Sequence, residues 1–193
     1  MVKKIFIGVV VLLVIGVGMN AIIDAARRVG VNQGYEPEQP IHYSHKLHAG
    51  DHQIPCLYCH FGAEKGRHAG IPPANVCMNC HTWVKRDSPE IKKIKEAIAN
   101  NKPIEWIKVH RLPDFVYFNH SQHVVVGKVA CQECHGPVQT MTRVRQENTL
   151  VMGWCIGCHL NKGVLPPEGH VGSSDPDARE KVLNGLDCQK CHY

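Results

Sequence analysis

Cys56-Leu57-Tyr58-Cys59-His60 is the first of five Cys-x-x-Cys-His runs in this chain. The others are Cys77–Cys80–His81, Cys131–Cys134–His135, Cys155–Cys158–His159 and Cys188–Cys191–His192, and together they use all 10 cysteines. This skeleton is the attachment signature of c-type haem. Two thiols add to the porphyrin vinyl groups, and the adjacent imidazole takes the proximal position on the iron. Only a two-residue spacer lets both sulfurs and that histidine meet one macrocycle. The expected cofactor is therefore five covalently bound haem c, with His60, His81, His135, His159 and His192 as proximal ligands. Zinc ribbons need two Cys-x-x-Cys pairs per site, and five is odd. A disulfide framework gives no reason for a histidine after every second cysteine.

The 152 residues from His42 to Tyr193 leave about 30 per haem, too few to surround each with a conventional core. The expected fold class is a multihaem cytochrome c cored by its haems, with mainly short α-helices and loops. One longer helix stands out between the second and third motifs. Ser88 or Asp87 caps it, Pro89 lies in its first turn, and Ile91, Ile94 and Ile98 share a face. Val164–Glu180, rich in Gly, Pro, Ser and Asp, reads as a loop over the last haem.

Residues 1–26 read as a transmembrane signal-anchor. Ile5–Ile23 has a single polar side chain, Asn20, and as a helix reaches about 28 Å, enough to cross the hydrocarbon layer. A cleaved signal peptide is the competing reading. Haem c is attached on the outer side of the bacterial inner membrane, so a single pass puts the haem domain in the periplasm. Residues 27–41 read as an extended linker and 42–193 as the haem domain. The formal charge of +5 does not point to nucleic acid, because two propionates on each haem outweigh it in the reduced protein.

The haem domain contains a duplication. Tyr43-Ser44-His45-Lys46-Leu47-His48 precedes the first motif as Phe118-Asn119-His120-Ser121-Gln122-His123 precedes the third, 75 residues on. Each aromatic-x-His-x-x-His unit is followed by two motifs, which gives dihaem modules at about 43–81 and 118–159 and a fifth haem at 188–192. Two histidines three apart on a helical turn project from neighbouring rungs and suit two neighbouring haems. His45, His48, His120 and His123 are thus expected distal ligands, with His110 as the fifth. Met141 and Met152 compete for that last place, and a thioether there would raise the potential. His170 is the remaining candidate.

The run Trp106-Ile107-Lys108-Val109-His110-Arg111-Leu112-Pro113-Asp114-Phe115-Val116-Tyr117-Phe118-Asn119-His120, on through His123 to Cys131, resembles the membrane-anchored pentahaem subunit of alternative complex III. Met152–His159 resembles it too, and the two His-x-x-His units are similar to the cytochrome c7/c3 class. The resemblance implies an electron wire, not a catalyst, in a quinol-oxidising respiratory complex. Its partners would be membrane quinol-oxidising and iron–sulfur subunits, and downstream a cytochrome c or haem-copper oxidase. Two other readings stay open. One is a membrane-anchored multihaem quinol dehydrogenase feeding a periplasmic reductase. The other is a multihaem reductase with an open haem.

Overall fold

The computed structural model describes residues 2–162 and 188–192. The loop expected at Val164–Glu180, with His170, lies outside them. The chain divides into two units, Met1–Asn32 and Gln33–Tyr193. The first is helix α1, Val2–Arg27, long and apolar enough to cross a membrane and exposed along its whole length. Asn20, the one polar side chain of Ile5–Ile23, donates to the Gly16 carbonyl one turn back, so the amide is satisfied within the helix.

The second unit is built of short helices on which the motifs sit: α2 (Cys56–Cys59), α3 (Ala74–His81), α4 (Pro89–Ala99), α5 (Cys131–His135), α6 (Met152–Asn161) and α7 (Cys188–Cys191). There is no strand among the described residues, only an antiparallel bridge between Val116 and His192. The stretch read as a linker divides at the unit boundary, and its second part packs on the haem domain. Gly34 N–H donates to the Gln146 carbonyl, Gln39 pairs with the Ile107 backbone, and Ile41 is buried.

Helix α4 forms as its sequence predicts. Ser88 Oγ accepts from Ile91 N–H at the N-cap, Pro89 fills the first turn, and Asn101 leaves the helix with φ 51°. Ile91 and Ile94 are buried against Ile41 and the α3 residues Cys77 and Met78, which fixes the second motif. Ile98 lies at the edge of that face, partly exposed.

Only six apolar side chains are buried among the described residues: Ile41, Ala63, Ile91, Ile94, Val109 and Met141. That is too small an interior for a unit of this length. It is the pattern of a protein whose prosthetic groups supply the flat apolar bulk.

Candidate functional site

Each aromatic-x-His-x-x-His stretch runs into a wide turn of π-type hydrogen bonding, Lys46–Asp51 in the first module and Gln122–Val126 in the second. The aromatic residue orients both histidines that follow it. Tyr43 stacks on His48 at 4.3 Å between ring centroids and meets His45 edge-on at 4.8 Å. Phe118 does the same to His123 at 4.4 Å and to His120 at 4.9 Å.

Held this way, four histidines face four motif histidines. Ring centroids are 6.4 Å apart for His45 and His60, 6.1 Å for His48 and His81, 6.3 Å for His120 and His135, and 6.1 Å for His123 and His159. An imidazole nitrogen bonds a transition metal at about 2 Å, so an iron between two imidazoles sets their centroids roughly 6 Å apart. The residues therefore fit haem iron at four sites. The first and third pairs are nearly parallel, at 5° and 7°, while the second and fourth are turned by 59° and 30°.

The far nitrogens are held too. His48 Nδ1–H donates to the Ser44 carbonyl at 2.8 Å, and His123 Nδ1–H to the Asn119 carbonyl at 2.9 Å, each four residues back. His60 donates to Gly70 O, His81 to Val84 O and His120 to Arg67 O, at 2.6–2.9 Å. A carbonyl on Nδ1 fixes the tautomer that leaves Nε2 bare for a metal. Burial, then the neighbouring His60, brings His45 down to about 4; burial, then His110 and His120, brings His135 down to about 3. Both rings are thus neutral at physiological pH, as a ligand must be. His45 Nδ1 is buried with no partner.

His110 meets a motif histidine differently from these four facing pairs, edge-on and through a nitrogen–nitrogen contact. Its Nε2 lies 3.1 Å from His135 Nδ1, behind the motif histidine and not across from it. The ring facing His192 is Phe115, at 5.4 Å. Met141 is buried and Met152 is largely exposed.

Cysteine neighbours give the spatial order of the motifs. After burial, Cys77 is the largest influence raising the Cys59 thiol, and Cys191 the largest raising Cys155. Burial, then the neighbouring Cys56, raises the Cys131 thiol. Burial, then Cys158 and Cys155, pushes Cys134 up to about 11. The motifs therefore follow one another as second, first, third, fourth and fifth. None of the nine described cysteines is in a disulfide, and no three His, Cys, Asp or Glu side chains converge as a zinc site requires among the described residues.

Residues 116–193 match the family described as cytochrome c7 and related cytochrome c. A protein of Nitratidesulfovibrio vulgaris, named as the multihaem cytochrome c subunit of a menaquinone reductase, is 33% identical over 168 residues, which cover 81% of this chain and 69% of that one. The chain belongs to the multihaem cytochromes c. As a cytochrome of this kind it carries covalent haem c and works in electron transport. Each iron supplies a one-electron couple, and the protein sets its ligands, burial and neighbours. Sequence reasoning missed the backbone acceptors on Nδ1, the packing of residues 33–41 and the fully buried Gln146.

Proposed function

We propose that this cytochrome is the electron-transfer subunit of a quinone-linked membrane complex, carrying five haem c groups and no catalytic site of its own. The observation that carries this reading is the set of four facing histidine pairs at 6.1–6.4 Å. An iron with an imidazole on each side offers no position to a substrate. In this reading the ten motif cysteines bind the haems, and His60, His81, His135, His159 and His192 are the proximal ligands. His45, His48, His120 and His123 are distal ligands. Helix α1 is a retained single-pass anchor in the bacterial inner membrane, with residues 33–193 on the periplasmic side.

Alternative complex III is the finer reading, supported by the resemblance of Trp106–His120 and Met152–His159 to its pentahaem subunit. Electrons would then leave quinol in partner subunits, pass iron–sulfur clusters and this wire, and reach a cytochrome c or an oxidase. A second reading reverses the flow, favoured by the name of the relative, a menaquinone reductase subunit. The wire is the same in both cases. Mass spectrometry of the denatured chain is expected to show five haem additions and Met1 or Val2 at the N-terminus. The isolated chain, reduced with dithionite, should pass electrons to a small cytochrome and should not oxidise a menaquinol analogue. The complex purified in mild detergent should oxidise menaquinol if the first reading holds, and reduce menaquinone from reduced cytochrome if the second does. Quinol oxidation by the single chain would sink both.

A further inference from the structure

Five of the eight paired imidazoles hold Nδ1 on a backbone carbonyl. His135 is different: its Nδ1 meets another imidazole, His110 Nε2, at 3.1 Å, with the rings edge-on at 83°. For His135 to present a bare Nε2 to His120, its Nδ1 must carry the proton. His110 Nε2 is then the acceptor, and the His110 proton sits on its own Nδ1.

This acceptor is itself held in place. Val109, one residue before it, is buried, and Arg111, one residue after it, donates its backbone N–H to Gln146 Oε1 at 3.0 Å. Gln146 is fully buried, and its amide nitrogen donates to the Asn148 carbonyl. Asn148 Nδ2 in turn donates to the Glu133 and Cys134 carbonyls, inside the third motif. The segment bearing His110 and the helix bearing His135 are thus tied by a second route that passes through neither ring.

We propose that His110 is not an iron ligand but the positioning residue of the third haem site, accepting the proton-bearing Nδ1 of His135. This rests on the five-haem reading above. An acceptor on Nδ1 makes the imidazole more electron-rich at Nε2 and favours ferric iron, so it lowers the potential of that haem. The fold keeps a removable side chain here where five of the other paired imidazoles use backbone, so the potential of this haem is open to resetting by a single substitution.

The test uses the full-length, haem-loaded protein in detergent. His110→Ala is expected to keep every haem low-spin while one midpoint potential moves upward and the others stay. His110→Gln, whose amide oxygen accepts the same bond, should bring that potential back toward its original value. If His110→Ala does not mature, His110→Leu takes its place with the same expected shift. A new high-spin haem in any of these variants would make His110 a ligand and overturn the proposal, as would unchanged potentials in the Ala or Leu variant. A wild-type protein with fewer than five haems by denatured mass would instead count against the functional reading, before any variant is compared.

Discussion

The two dihaem modules share a backbone and differ in what props their ligands. An offset of 75 residues maps the ligand turn and first motif of one onto those of the other. Ile54 N–H donates to the His48 carbonyl at 3.0 Å, as Val129 N–H does to the His123 carbonyl at 2.9 Å. Gln53 and Lys128 both take the left-handed conformation, at φ 53° and 49°. The supports do not repeat. His60 leans on the Gly70 carbonyl, and its counterpart His135 on His110. His45 Nδ1 is buried without a partner, whereas His120 holds the Arg67 carbonyl, which the first module lends to the second. At the entry, His42 N–H is held by the Glu90 carboxylate at 2.9 Å, and its counterpart Tyr117 by the Cys191 carbonyl at 2.6 Å. The geometry of the ligand turn is thus fixed locally, and the electrostatics of each iron are set by whatever the rest of the chain brings against it.

The largest expected effect tests the equivalence directly. His45→Ala and His120→Ala should each turn one low-spin haem high-spin, seen in absorption and electron paramagnetic resonance spectra, with the other haems unchanged. A change in only one variant would break the mapping. The next concerns the one place where the turns cannot be exchanged. Gly50 packs against the Gln139 carbonyl so closely that a Cβ there would overlap it, while its counterpart Val125 is half-exposed. Gly50→Val should destabilise by about 1–3 kcal/mol in chemical denaturation, and Val125→Gly by about 1 kcal/mol or less. Smaller and symmetric, Gln53→Val and Lys128→Val should each cost about 1–2 kcal/mol, because a β-branched residue resists the left-handed region.

The smallest effect depends on pH. The Lys93 ammonium, then the His42 N–H, holds Glu90 down to about 2 from its ordinary 4.5. A depressed carboxylate contributes its full stabilisation above the unfolded value and loses it as pH falls. The first module's entry should therefore weaken between about pH 4.5 and 2, while the backbone bond at Tyr117 is indifferent. Hydrogen exchange at the two amides on acidification checks this, and Glu90→Gln should abolish the difference.

What could be read beforehand was whatever repeats in side chains. The motifs, the duplicated aromatic-x-His-x-x-His, the capped helix after Ser88 and the apolar run of α1 all carry residue types tied to one geometry. The aromatic residue was visible at Tyr43 and Phe118, although its grip on both histidines needed coordinates. Nδ1 acceptors such as Gly70 and Val84 were invisible, because every residue has a carbonyl and only the tertiary fold selects which one arrives. His110 is open for a related reason: histidine count alone cannot tell a ring in front of an iron from one behind its ligand, which is where the proposal above puts it. Residues 33–41, rich in turn formers, read as a tether because their partners, Gln146 and Ile107, lie far along the chain.

Cys56 and Cys131 are close neighbours in the fold, near enough for one to raise the other's thiol. These two cysteines are equivalent under the 75-residue offset, so the modules meet through their corresponding first sites. Like meeting like is the logic of an isologous interface in a twofold dimer. In the order of its first four motifs the chain resembles such a pair, fused into one polypeptide. The order of sites in such a pair reads the same from either end, and it is the unlike supports of the two modules that tell one half from the other. The fifth motif, whose Cys191 neighbours Cys155 of the fourth, adds a further difference at one end.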